Sequence, residues 1–196
     1  VQHELRRKTE LFERLVDSSA VGIAAFDKQL RIVLWNPTIE RLSGMPKERV
    51  LNRKILDVFP FLEEQGGEMY LREALSGKTD SIQNRYFTIE ETGMEGFFDA
   101  EYSPLRNEAG RVLGGLVIVR NATERRQAEE ALRQSEEKYR TLFENSILGI
   151  FTSDLSGRCT SFNPAAIRLL GYGFPEIIGL HYSKFVAPES LDAVFR

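Results

Sequence analysis

The chain has 196 residues, of which 42% are hydrophobic and 28% charged, with 26 Lys+Arg set against 29 Asp+Glu and a formal charge of −3. This composition belongs to a folded globular chain and excludes collagen-like, low-complexity and wholly disordered classes. With no basic excess to meet a phosphate backbone, no direct nucleic-acid partner is expected.

An amphipathic helix opens the chain: Leu5, Leu11, Phe12, Leu15 and Val16 recur at helical spacing. Val21 to Phe26 and Leu30 to Trp35 are apolar runs flanking Asp27-Lys28-Gln29, which predicts a β-hairpin. Asn36 is expected to cap a helix that accepts Pro37 in its first turn, buries Ile39 and Leu42, and ends at Gly44. Short helices are predicted around Lys47 to Val50 and Ile55 to Phe59. A longer one runs from Glu68 to Leu75 and stops at Ser76-Gly77. Three strands follow: Ser81 to Glu90, Gly96 to Leu105 and Arg111 to Arg120, with turns at Glu91-Thr92-Gly93 and Asn107 to Gly110. The order β-β-α-α-α-β-β-β predicts an α+β domain, an antiparallel sheet with helices on one face. Thr123 to Phe143 is a charged helix in which Ala128, Leu132, Ser135, Tyr139 and Leu142 follow coiled-coil spacing. A parallel dimeric coil is preferred for it over a solvated connector.

The chain repeats itself. Leu15 to Ile23 matches Leu142 to Ile150 at an offset of 127 positions, as from Gly22 to Gly149. The offset also holds from Asp27 to Asp154, Asn36-Pro37 to Asn163-Pro164, and Gly44 to Gly171. About thirty positions align without a gap and about a third of them are identical, which points to two copies of one domain. The same offset carries the three closing strands of the first copy to about positions 208–247, beyond Arg196. The second copy is therefore expected to be incomplete.

Gly22-Ile23, Asp27, Asn36-Pro37, Leu42-Ser43-Gly44, Pro104-Leu105 and Gly110 together resemble the PAS sensory family. Asn121-Ala122-Thr123-Glu124-Arg125 resembles the Asp-Ile-Thr-Glu-Arg segment that leaves the last PAS strand. Ala128 to Arg140 is similar to the linker between tandem PAS domains of bacterial and archaeal signalling proteins. The resemblance implies a five-stranded antiparallel sheet with helices on one face. It divides the chain into an N-terminal helix (1–18), a first PAS domain (19–122), a linker helix (123–143) and an incomplete second PAS domain (144–196).

No phosphate-cradling glycine loop or nucleophile motif is present, and Gly66-Gly67 and Gly114-Gly115 are isolated pairs. No enzyme is expected in this segment. His3 and His181 are too few for a His-rich metal site. Cys159 is the one cysteine, which favours a reducing, cytoplasmic setting. It aligns with Ile32 on a strand, so an inert core thiol is expected. The longest apolar run, near Leu113 to Val119, falls short of the roughly 20 residues of a membrane span. No membrane passage is expected here, although the parent protein can be anchored elsewhere.

By resemblance, a pocket between sheet and helices can hold haem, flavin or a small metabolite. Haem-binding members use a histidine on the long helix, and Glu68 to Leu75 has none. Photosensory flavin members use a cysteine where this chain reads Lys54-Ile55-Leu56-Asp57-Val58-Phe59. His-ligated haem and covalent flavin photochemistry are not expected; a small metabolite or a non-covalent flavin is left open. Period-two alternation puts Phe98, Ala100 and Tyr102 on one strand face, towards Tyr70, Leu71 and Leu75. Arg85, Tyr86 and Thr88 are the pocket candidates of the preceding strand, and Trp35 is read as a core anchor first and a ligand platform second. Phe87, Ile89 and Phe97 are expected on the outer face, with the N-terminal helix as their cover.

The reading is a sensory or regulatory segment of a larger cytoplasmic signal-transduction protein. By resemblance the parent is most often a sensor histidine kinase in a two-component phosphorelay, with the output domain elsewhere in the same chain. Homodimerisation is expected through the N-terminal and linker helices. The relay is placed at Asn121, Thr123 and Glu124, with Thr123 capping the linker helix. The alternative is a ligand-free dimerisation and spacing module of a diguanylate cyclase or transcriptional regulator.

Overall fold

The computed structural model describes residues 2–185, divided into two units between Ala128 and Glu129. The first unit opens with α1 (Gln2–Asp17), β1 (Gly22–Asp27) and β2 (Ile32–Trp35). Then come α2 (Pro37–Ser43), α3 (Lys47–Val50), α4 (Ile55–Val58), α5 (Pro60–Glu64) and α6 (Glu68–Ser76). It closes with β3 (Asp80–Ile89), β4 (Met94–Arg106) and β5 (Val112–Asn121). Helix α5 is an addition to the predicted elements. Pro60 supplies the fixed φ of a first helical turn directly after α4, splitting what reads as one apolar segment.

All strand pairs are antiparallel, in the order β2-β1-β5-β4-β3. The last strand enters the centre, with Gly22 opposite Val119 and Asp27 opposite Gly114. Ala24, Phe26, Trp35, Val117, Phe98, Ala100 and Tyr102 are buried on one face, with Ile39 of α2 and Leu71 of α6 in the same core. Gly115 makes room for this packing. A Cβ there would lie 2.2 Å from the Phe26 ring, which is itself fully buried.

Strand β4 keeps its alternation, burying Phe98, Ala100 and Tyr102 as expected. Strand β3 does not. Its register slips between Ile82 and Arg85, where Asn84 takes a left-handed φ of 52°. A bulge of one residue reverses the face of every later side chain. Arg85, Phe87 and Ile89 therefore turn towards the core, Ile89 being buried, while Tyr86 and Thr88 are exposed. The expected outer placement of Phe87 and Ile89 is thus corrected. Phe97 does lie on the outer face, opposite Tyr86, with their rings edge to face at 5.6 Å. Helix α1 is not a sheet cover within the chain: Leu11, Phe12 and Leu15 are 57–62% exposed.

Asn36 is the pivot of the first hairpin. Its Oδ1 accepts the N–H of Ile39, capping α2, and the N–H of Ile23. Its Nδ2 donates to the carbonyls of Val16 and Val21, both at 3.0 Å. One fully buried amide thereby ties α1, β1 and α2 together. Gly44 ends α2 with a left-handed φ of 69°.

Helix α7 (Thr123–Asn145) starts in the first unit and continues into the second. The second unit adds β6 (Phe151–Ser153), β7 (Cys159–Phe162), α8 (Pro164–Leu170), α9 (Phe174–Ile177) and a 3-10 turn at Tyr182–Lys184. Its elements from β7 onward begin 127 positions after β2, α2, α3 and α4. Asn163 repeats the work of Asn36, accepting from Ile150 and Ala166 and donating to the carbonyls of Phe143 and Leu148. Cys159 is buried on β7, and burial pushes its thiol pKa up, as suits an inert core residue. Residues 186–196 of the expected second domain lie outside the described residues.

Candidate functional site

Between the sheet and its helices the first unit holds a partly open cavity of about 90 Å3. Its walls are aromatic. Trp35 of β2 stacks on Phe59 at 5.5 Å, and its indole N–H donates to the Met45 carbonyl. Phe61 of α5 meets Phe98 edge-on at 6.3 Å, and Phe87 meets Phe98 at 6.0 Å. Val117 and Tyr102 complete the sheet side. Tyr102 is 2% exposed and stacks on Tyr70 of α6 at 5.5 Å. Burial raises the Tyr102 phenol pKa well above its ordinary value of 10, Tyr70 adds to the rise, and the Arg85 charge partly opposes it.

Of the sequence-predicted pocket residues, Trp35, Phe98 and Tyr102 line this cavity. Tyr70 and Leu75 pack beside it on α6. Arg85 leaves β3 on the same face, opposite Phe98. Tyr86 and Thr88 stand on the other face of the sheet; the Tyr86 hydroxyl donates to Glu95 at 2.8 Å, and that bond raises its pKa. Sequence reasoning missed Phe59, Phe61 and Phe87. The polar pair Gln83-Asn84 within an otherwise β-forming run was the available sign of the bulge that brings Phe87 in.

The size and chemistry of the walls limit what they hold. Small-molecule pockets run to about 300–1,000 Å3, well above this volume. The lining is mostly aromatic and aliphatic, with Ser43 and Asn121 among its few polar side chains. A compact apolar group fits.

Next to the cavity, α7 is joined to β4 through Phe97. The Ala122 N–H donates to the Phe97 carbonyl at 2.9 Å, and the Thr123 hydroxyl accepts the Phe97 N–H at 2.9 Å. Thr123 therefore does not cap α7 as expected. Its own N–H is taken by Asn121 Oδ1 at 2.8 Å, while Ala122 holds the position preceding the helix and accepts from Arg126. Gly96 leaves the space: a Cβ there would sit 2.4 Å from the Thr123 hydroxyl. Arg125 pairs with Asp99 at 2.8 Å and reaches Asn84, and the Arg126 guanidinium lies 5.9 Å from the centre of the Phe97 ring. Glu124 is exposed.

The fold has counterparts among known proteins. A family model described as the PAS fold matches residues 16–127, and a second PAS fold model matches 137–196. A phytochrome of Picea abies is 26% identical over 182 residues, 90% of this chain and 16% of the relative. Sporulation kinase E of Bacillus subtilis (strain 168) is 26% identical over 176 residues, 89% of this chain and 23% of the relative. The chain thus spans less than a quarter of either. Among solved structures, an RNA-binding light-oxygen-voltage receptor superposes with a TM-score of 0.53 at 23% identity, over 67% of this chain and 37% of the other. The PAS domain of an HTR-like protein from Haloarcula marismortui superposes with a TM-score of 0.51 at 16% identity, over 61% and 96%. Among the described residues no helix is long and apolar enough to cross a membrane. With a family model spanning the whole of the first sheet and its helices, this chain belongs to the PAS fold family.

Proposed function

We propose that the first unit senses a small ligand and passes its state into α7. The parent would be a larger cytoplasmic signalling protein, a dimeric sensor histidine kinase in a phosphorelay, whose catalytic and output domains lie in other parts of its chain. One observation carries this reading: Phe97 and Phe98 are neighbours on β4 and both border the cavity. Phe97 also bonds the start of α7 through both its N–H and its carbonyl. A group that displaces Phe98 moves the peptide that holds α7. Asn121 couples the two in the same way, since it lines the cavity and accepts the Thr123 N–H. Ligand shifts the equilibrium only as far as it binds the two packings differently.

The relatives support the class of parent, since a sporulation kinase and phytochromes carry matching segments. The exposed apolar residues Leu11, Phe12 and Leu15 of α1 and Leu132, Tyr139 and Leu142 of α7 support pairing of like helices between copies. The test is a series of insertions of one to seven residues after Arg126 in the full-length protein. One residue rotates a helix by about 100°, whereas seven restore a heptad phase. Output that varies with insertion phase supports the relay. Output unchanged across the series overturns it and leaves α7 as a passive spacer.

A further inference from the structure

The apolar cavity ends at a polar rim that the chain itself leaves unmatched. Arg85 stands opposite Phe98 and two residues before Phe87, so its side chain leaves β3 beside two cavity walls. It is half-buried and makes no hydrogen bond or ion pair among the described residues. Glu68, Glu73 and Asp99 are paired with Arg72, Lys78 and Arg125. A guanidinium drawn partly out of water without a counter-ion is unfavourable until an anion meets it.

A second unmatched group stands beside it. Gln65, at the end of α5, donates its Nε2 to the carbonyl of Tyr86, the residue after Arg85, at 3.0 Å. Its Oε1 is buried and accepts from no donor. A buried acceptor without a donor costs free energy that a ligand N–H or O–H would return. Phe61 and Leu62 of the same helix line the cavity. Arg85, on the cavity face of β3, and Gln65, bonded to the carbonyl of the next residue, thus flank the stretch of β3 from which Phe87 enters the cavity wall.

We propose that this site takes a small α-hydroxy or α-amino carboxylate with a branched apolar side chain. The carboxylate lies on the Arg85 guanidinium, the α-substituent donates to Gln65 Oε1, and the side chain fills the cavity beneath Phe87 and Phe98. The proposal rests on the sensing reading above and deepens it by naming the ligand class.

Three probes share one branched side chain: leucate carries both polar groups, isocaproate lacks the hydroxyl, and isohexanol lacks the carboxylate. Calorimetric titration of each into the whole chain is expected to give affinities in the order leucate, isocaproate, isohexanol. Each step should be about tenfold, the worth of one charge-assisted or one well-made hydrogen bond in a partly dry site. Arg85→Met should abolish the step between acid and alcohol and leave the hydroxyl step. Gln65→Leu should abolish the hydroxyl step and leave the other. Arg85→Lys, which keeps the charge and loses the fork, guards against a folding defect in Arg85→Met and should retain part of the acid preference. Equal binding of all three probes overturns the ligand class while leaving an apolar sensing cavity. Absence of binding by all three overturns the sensing reading with it.

Discussion

The hydroxyl of Thr123 and the backbone of Phe97 form a two-way clasp: Thr123 Oγ1 accepts the Phe97 N–H at 2.9 Å and lies 3.4 Å from the Phe97 carbonyl oxygen. The clasp spans 26 positions of sequence and joins the first residue of α7 to β4. Thr123→Ala leaves the Phe97 amide without its acceptor, at a cost of about 1 kcal/mol. The Phe97 amide should then exchange faster with solvent, while Thr123→Ser, which keeps the oxygen, restores slow exchange. Exchange at Phe97 that is the same in all three proteins would show that the hydroxyl does not hold the strand.

Asn36 is predicted to be worth more than an ordinary helix cap. Asn36→Ala strands two N–H donors and two carbonyls around a side chain that is itself fully buried. The loss should be about 3 kcal/mol, above the 0.5–2 kcal/mol typical of a cap. Chemical denaturation reads it directly. A loss near 1 kcal/mol would mean that water replaces most of these bonds.

Gly115→Ala tests the packing of Phe26. The added methyl meets ring atoms on a side chain with no exposed surface, and the opposing strand cannot retreat without breaking the β1–β5 ladder. Overpacking of this kind costs about 1–3 kcal/mol. The companion Phe26→Leu should recover part of the loss in the double variant, and a strictly additive double variant would argue against the contact.

Tyr102 predicts an alkaline limit. Burial raises its pKa above the ordinary value of 10, so the folded state holds this proton more tightly than the unfolded state. Its contribution is therefore whole below about pH 10 and is lost as pH rises beyond it. Unfolding free energy of the wild type should fall more steeply above about pH 10 than that of Tyr102→Phe. Parallel curves for the two proteins would place the phenol in contact with water.

Much of this architecture was already legible in one dimension. The hairpin, the Asn36 and Gly44 ends of α2, the extent of α6 and the inward set Phe98, Ala100 and Tyr102 all follow from signals that neighbours in sequence carry: apolar period, caps and turn residues. The offset of 127 positions likewise announced that Asn163 would repeat Asn36, because a duplicated segment folds by the same local rules. What the sequence could not decide were the relations that cross the fold. The bulge at Asn84 is set by how β3 pairs with β4, and it alone turns Phe87 and Ile89 inward and Tyr86 and Thr88 outward. Thr123 looks like a cap in the sequence, yet its hydroxyl is used by Phe97, which only the closed sheet brings near. Asn36 looks like a cap and is one, but three of its four bonds reach 13 to 20 residues back. Period and capping are properties of a segment. Register, and the choice among competing hydrogen-bond partners, are settled only when β5 has taken its place between β1 and β4 and the backbone groups of each strand have found their mates.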